Sequence, residues 1–564
     1  AYMAGVRRKR LSLKTFLHIG DNPRADGEMA RRFGIEALVI PKAIDLMRKT
    51  RAADVFKEAF SHPSYDTSIL AGLLANRFFS APTSHARHDS LCDGHLFNIG
   101  YGVLGPFILG YVQWVIRRLR AHGIDHVYFL ARDGYLVMKV YEAFRRHLPD
   151  LPRHSYLYCS RRAVMVPAIR QDEDILEIAT LNFGTTTLQN FLSSRFGLDA
   201  NDLPAKVLRR HGMAPDGSTL IGYPRDLGTV IRLVMELKEH IHDRADEERD
   251  TFLRYLDAEQ ATDPTRKSAF VDIGYSGTMQ RKISGLTGVH YPGYYMLTHN
   301  YVLHHFGDNV FEAWLEEYDS QRAPFKHSFN QFIPLIESLL SSTEGSLLHF
   351  EDEGGQLAPQ YLYASNERER IAFVEGLHAG AMSFVNDYLE LFGEFSGTVE
   401  MSPQVASFVM LRFADQPTPA DVRAFEGLVL ENMFAGSEFA VISNPAPLLD
   451  ARGELTPSAM EHLIAESKWK QGARVSFKRY LSQAARATVT VNSDASSPGH
   501  AVPVVTHSST QLDRRARLRR KLLNAPDRFF LDSKSRLLRP LGYLFRLPLS
   551  GAPLRYAIRK LVSV

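Results

Sequence analysis

Three short stretches, "HVYFLARDGY", "SYLYCSRRA" and "SAFVDIGYSGTMQ", constrain this 564-residue chain more than anything else in it. Each is a hydrophobic run of strand length, stopped by glycine or by charge, with a helical pattern beyond it. Apolar strands alternating with helices imply a parallel sheet covered on both faces. The spacing predicts a helix over 106–122, a strand over 126–131, a helix over 135–148 and a strand over 155–160. After a mostly helical stretch over 170–262, a strand over 268–274, a helix over 279–286 and a strand over 291–298 follow, so 170–262 reads as an insertion.

The expected fold class is α/β. A partial Rossmann-like unit over 1–50 and a linker over 51–94 come first. The parallel-sheet domain then occupies 95–315 and a mostly α-helical region 316–489. The Ser/Pro/Thr-rich segment 490–510 reads as a flexible linker, and 511–564 as a basic amphipathic tail. Hydrophobic content of 45% and charged content of 23% fit ordinary globular protein. The two cysteines, Cys92 and Cys159, exclude a disulfide framework and suit a reducing cytoplasm. The uncharged run "LFNIGYGVLGPFILGYVQWVI" over 96–116 is long enough to cross a bilayer, which takes about 20 residues. Its glycines and Gly105-Pro106 favour instead a buried helix starting near Pro106.

Anion chemistry recurs at the strand ends. In "FLARDGY", Arg132, Asp133 and Gly134 occupy a strand-to-helix turn, where helix-start amides and a guanidinium make a phosphate or pyrophosphate pocket. Taken alone, the turn is often just a helix entry, with Asp133 as N-cap and Arg132 on the surface. In "FVDIGYSGTMQ", Asp272, Gly274, Ser276, Gly277 and Thr278 form a second turn, where glycine lets backbone approach an anion and hydroxyls add donors. "CSRRA" adds Arg161 and Arg162 after another strand. At one edge of a parallel sheet, two such loops can hold opposite ends of a phosphorylated sugar. Elsewhere, "HARHDSLCDGH" spaces His85, His88, Cys92 and His95 passably for zinc, but lacks a second paired cluster.

Over 16–35, "FLHIGDNPRADGEMARRFGI" resembles the fourth motif of the haloacid dehalogenase (HAD) superfamily, with Ala30 in the helix and the Gly34-Ile35 ending. Asp21 and Asp26, on the loop after a strand, are the candidate Mg²⁺ ligands. Gly20 permits the turn and Asn22 can bond the loop. The resemblance implies an aspartate nucleophile far upstream, whereas 1–15 has no acidic residue; Lys9 or Lys14 could supply the phosphate-binding lysine. The expectation is a truncated phosphatase segment, inactive as it stands.

"YFLARDG", "YCSRRA" and "VDIGYSGTMQ", in this order, resemble the type I phosphoribosyltransferase fold. With "HIGDNPRAD", they are most similar to bacterial capsule and O-antigen ribofuranosyltransferases over roughly 1–440. That resemblance implies a glycosyltransferase moving a 5-phosphoribosyl group from phosphoribosyl pyrophosphate, with Mg²⁺, to a glycan acceptor in bacterial surface polysaccharide synthesis. Arg132, Arg161 and Arg162 would stabilise the leaving pyrophosphate, and Gly134 belongs to the same loop. Gly274, Ser276, Gly277 and Thr278 would hold the 5-phosphate, Asp272 the ribose hydroxyls, and Asp133 would act as general base. The family usually has two adjacent acids before the Thr/Gly loop; here Val271 precedes Asp272.

Two other classes compete: a HAD-type sugar phosphatase whose second region only recognises substrate, and a non-catalytic sugar-phosphate-binding scaffold. Net charge is +4, but 511–564 carries fourteen Lys/Arg against three Asp, interleaved with Leu and Phe. That pattern suits an anionic membrane surface, and so a cytoplasmic protein peripheral on the inner membrane with a lipid-linked acceptor. No aromatic stacking platform points to nucleic acid.

Overall fold

A computed structural model of the protein describes residues 12–49, 64–80, 90, 92–298, 311–315, 329, 331–363, 365–432 and 437–481. Lys9, His85, His88, the segment 490–510 and the tail 511–564 lie outside the described residues, as does the side chain of Lys14. Near the start, β1 (Leu17–Gly20) and β2 (Glu36–Val39) pair in parallel across short helical turns over Pro23–Glu28 and Met29–Arg32. This is the strand–loop–helix–strand unit expected there. Strands β3 (His126–Leu130) and β4 (Arg153–Leu157) come next. A largely helical insertion follows, with two-residue strands β5 (Thr186–Thr187) and β6 (Leu220–Ile221), and then β7 (Ser268–Asp272), β8 (Gly293–Tyr295) and β9 (Phe311–Ala313).

The central sheet is α/β in the expected sense: five strands, all parallel, in the order β4-β3-β7-β8-β9. Every residue of β3 is buried, as a strand covered on both faces requires. Helix α1 (Gly105–His122) precedes β3, α2 (Gly134–Arg145) crosses from β3 to β4, and α3 (Arg161–Met165) follows β4. The insertion starts with α4 (Asp172–Thr180) and ends with α5 (Lys238–Ala258); α6 (Thr278–Thr287) then crosses from β7 to β8. On one face, Phe129 of β3 meets Tyr141 of α2, ring centroids 5.2 Å apart. On the other, Tyr128, Leu130, Leu157 and Phe270 share a core with Phe252 and Leu256 of α5 and Ile283 and Leu286 of α6. The insertion has its own apolar core, from Ile175 through Phe191 and Leu233 to Ile241.

The apolar run over 96–116 is a buried helix, but it starts ten residues before Pro106. It runs from Leu96 to His122, and its most apolar window is wholly enclosed by protein. Pro106 does not begin it because a π-helical turn, Gly100–Leu104, lies directly ahead, leaving Pro106 in the first turn of the following α-helical part. The glycines are there for close approach. A Cβ on Gly100 would collide with the Leu377 carbonyl, and one on Gly380 with the Phe97 carbonyl. Both partners belong to the contact with α8 (Glu367–Phe392), the longest described helix downstream of α7 (Ile333–Leu340).

The downstream region is less helical than its spacing implies. Strands β10 (Ser346–Glu353) and β11 (Gln356–Leu362) form an antiparallel hairpin, and β12 (Val429–Asn432) pairs with β13 (Ser437–Ala440). The first hairpin turns on Gly354 and Gly355, both at positive φ. It lays Phe350 flat on Tyr255, ring centroids 4.2 Å apart, against the α5 side of the sheet.

Gly380→Ala should destabilise the fold by about 1–3 kcal/mol, the range for overpacking. Gly72→Ala, in helix Tyr65–Phe79 where an added Cβ meets nothing, should stabilise it by roughly 0.5–1 kcal/mol. Urea unfolding of both variants checks the contrast.

Candidate functional site at the carboxyl edge of the parallel sheet

Strands β3 and β7 are hydrogen-bonded neighbours, His126 opposite Ser268 and Phe129 opposite Val271. The turns after them therefore emerge side by side, with strand axes about 4.8 Å apart. From β3 the chain crosses to β4; from β7 it crosses the opposite way, to β8. The diverging crossovers make this edge a topological switch point, the place where a ligand crevice lies in open α/β sheets. Arg132, Asp133 and Gly134 lie on one wall, and Gly274, Ser276, Gly277 and Thr278 on the other. The peptide bonds Ala131–Arg132 and Gly274–Tyr275 are cis. Gly274 (φ 144°) leaves no room for a side chain, since a Cβ would strike the Leu297 carbonyl, and Gly277 (φ 60°) is left-handed. The first hydrogen bond of α6 runs from the Arg281 amide to the Gly277 carbonyl, so amides ahead of it have no partner within the helix.

Three half-buried carboxyl groups share this crevice. Asp133 stands at the N-cap position of α2, yet its side chain makes no capping bond. Asp272 accepts from its neighbour's amide, Ile273 N, at 2.8 Å. The Tyr111 hydroxyl of α1 donates to the backbone carbonyls of Asp272 (2.7 Å) and Tyr294 (2.9 Å), fixing the strand end from below. The third, Glu337 of α7, was signalled by no motif; its one cue is a lone acid in "FIPLIESLL".

Burial raises all three above the ordinary carboxylate range. For Asp133 the Arg132 guanidinium opposes the rise. Asp272 is pushed well up by burial and then by the charge of Asp133, with partial relief from the Ile273 amide. Glu337 is pushed up to about 8 by burial and then by Asp133, against the pull of Arg161 and Arg132. Burial and mutual repulsion thus both favour proton retention on this set of acids, a property suited to exchanging hydrogen bonds with hydroxyl groups.

The adjacent pair Arg161 and Arg162 divides. Arg161 is exposed at the start of α3, with its charge felt at Glu337. Arg162, expected in the anion pocket, is instead 2% exposed and bound bidentate to the equally buried Glu248 of α5, at 2.6 and 2.7 Å. Arg244 adds a contact to the same carboxylate at 2.7 Å. Consecutive helix positions point about 100° apart, and the Ser160 N-cap fixes which of the two turns inward. Arg162 is a clasp between the β4 turn and the insertion, and has no surface to offer a ligand.

In the N-terminal unit, Asn22 caps its helical turn through the amides of Arg24 (3.0 Å) and Ala25 (2.9 Å). Asp26 accepts from His18 Nε2 (2.9 Å) and the Asn22 amide (2.8 Å), which hold its carboxyl below the usual range. Asp21 is exposed and faces Lys42 Nζ at 3.3 Å, and Ala30 and Ile35 are buried. Of the candidate zinc residues, the Cys92 thiol donates to the Asn98 carbonyl (3.4 Å), and His95 precedes the helix at Leu96. Among the described residues no three His, Cys, Asp or Glu side chains converge to hold a metal ion.

No family model matches the chain, and no curated protein matches it.

Removing one partner of the Arg162–Glu248 pair strands a buried charge, so Glu248→Ala should cost about 3–5 kcal/mol in denaturant unfolding. Burial acts to raise the carboxyl of Glu248, but the charges and hydrogen bonds of Arg162, with Arg244, outweigh it and hold it below the ordinary range. Its contribution is complete above the unfolded-state pKa of about 4.3 and is lost as pH falls through the lower folded value. A pH series in urea should show the Glu248→Ala deficit shrinking toward strong acid.

Proposed function

We propose that the chain is a glycosyltransferase that moves a 5-phosphoribosyl group from phosphoribosyl pyrophosphate to a hydroxyl of a glycan acceptor, in bacterial surface polysaccharide synthesis. The observation that carries this is the meeting of the Arg132 and Gly274 loops on adjacent strands at the point where the crossovers diverge. Pyrophosphate would lie on the Arg132–Gly134 turn, with Arg132 and Arg161 stabilising charge on the leaving group. The 5-phosphate would lie on Gly274, Ser276, Gly277 and Thr278 at the mouth of α6, orienting the sugar from a distance. Asp272, raised in pKa and set between the two loops, would bind ribose hydroxyls.

Mg²⁺ fits here as a companion of the donor. Its hard-oxygen ligands would include the pyrophosphate and water. When bound it supplies charge neutralisation to the leaving group. The HAD-like unit, with Asp21 and Asp26, would belong to a phosphatase that removes the 5-phosphate after transfer. The basic segment 511–564 would bring the enzyme to an anionic membrane and a lipid-linked acceptor.

Incubation with phosphoribosyl pyrophosphate, Mg²⁺ and a panel of glycan acceptors should yield an acceptor heavier by one phosphopentose, with release of pyrophosphate. Arg132→Ala and Asp272→Ala should each slow transfer about 10²–10³-fold. Wild-type turnover by both variants would remove these residues from the site. Phosphate release from a sugar phosphate, with no pyrophosphate formed from donor, would favour the phosphatase class. Donor binding in calorimetry without any turnover would favour the scaffold.

A further inference from the structure

Glu337 is the only charged residue of α7, "IPLIESLL", whose Leu335, Ile336, Leu339 and Leu340 are buried. Its carboxylate makes no hydrogen bond and no ion pair among the described residues. The helix carrying it packs against α2 and α8, which brings a residue more than sixty positions beyond β7 into the crevice of β3 and β7. Half-buried carboxylates normally have partners within their own chain, and this one instead lies within electrostatic reach of Asp133 on one turn and of Asp272 and Tyr275 at the other.

We propose that Glu337 is the general base that takes the proton from the acceptor hydroxyl, an assignment that rests on the phosphoribosyl reading above. As the C1–oxygen bond to pyrophosphate breaks, its electron pair leaves with the pyrophosphate. The acceptor oxygen bonds to C1, its proton passes to the Glu337 carboxylate, and the proton is then lost to solvent. Asp133, the residue the sequence first suggests for this task, takes the complementary part. Burial raises both carboxyls; Arg132 adjoins Asp133 and opposes its rise, while the Asp133 charge adds to burial at Glu337, against the pull of Arg161 and Arg132. Two carboxyl groups that repel one another do not both ionise readily, so such a pair can divide acid–base work: Asp133, beside Arg132, would face positive charge developing on the ribose, and Glu337 would move the proton.

The charged and titratable groups facing Glu337 are Arg132 and Asp133 from the β3 turn, Arg161 from the β4 turn, and Tyr275 and Asp272 from β7 and its turn. From α8, His378 Nε2 bonds the Leu339 carbonyl at 3.1 Å, and Arg370 is engaged with Ser341 and Glu367. A base must be ionised, so kcat/KM for transfer should rise with pH through about 8 and level off above it.

The test compares wild type, Glu337→Gln and Glu337→Asp, with donor binding by calorimetry and transfer to acceptor across pH. Glu337→Gln should bind phosphoribosyl pyrophosphate within about 3-fold of wild type yet transfer about 10²–10⁴-fold more slowly, the usual worth of a positioned base. Its acidic limb should vanish, and Glu337→Asp should recover part of the rate with a displaced limb. Wild-type transfer and an unchanged limb in Glu337→Gln overturn the assignment, as does loss of donor binding in that variant, which would make Glu337 a donor-holding residue. Wild-type protein that neither binds nor turns over the donor overturns the phosphoribosyl reading itself, a result distinguishable from the others.

Discussion

The hydrogen-bond ladder between β3 and β7 is the interaction on which the rest depends. It joins strands from distant parts of the chain, His126 beside Ser268, and so converts two unrelated turns into facing walls. Parallel strands with right-handed crossovers leave little freedom once two neighbours send their connections in opposite directions. The helices depart to either side, and the turns at the carboxyl edge emerge between them. Gly274 and Gly277 then need only allow backbone into space where a side chain would collide or strain.

Around that edge the protein places more acid than base: Asp133, Asp272 and Glu337 against Arg132 and Arg161. In low dielectric such a set cannot be fully ionised by itself. Rigid support comes from elsewhere, through the Tyr111 hydroxyl bridging two strand-end carbonyls and the Arg162–Glu248 clasp beneath the β4 turn. The positive charge available to an anion is thus smaller than a count of arginines suggests, since one is fully committed inside.

The sheet was legible because its strands are continuous apolar runs, and period alone places "HVYFL" and "SAFVD" in a doubly covered sheet. The two strand-end turns were legible because glycine and charge there interrupt an apolar run. Three features were not. Arg161 and Arg162 look alike in sequence, and only their angular positions on α3 decide which is buried. The start at Leu96 was hidden because glycine and Gly-Pro usually interrupt helices, whereas here the glycines admit α8 and a π-turn leaves Pro106 in a first helical turn. Glu337 carries no motif; tertiary packing alone brings it to the crevice. The β10–β11 hairpin did have a signal, Gly354-Gly355 between runs of alternating character, masked by the helical spacing on either side.

The described residues up to Leu481 belong to one unit, and the glycine-to-carbonyl contacts of Leu96–His122 with α8 show why. Cutting the chain near 315, where spacing alone would set a boundary, strips away the surface into which Gly100 and Gly105 were shaped and discards Glu337 with it. The excised piece would carry both strand-end turns on a scaffold with one apolar flank laid open to water. Dissection of this protein into a minimal folded fragment must therefore retain the downstream helices as structural members of the very sheet domain they follow.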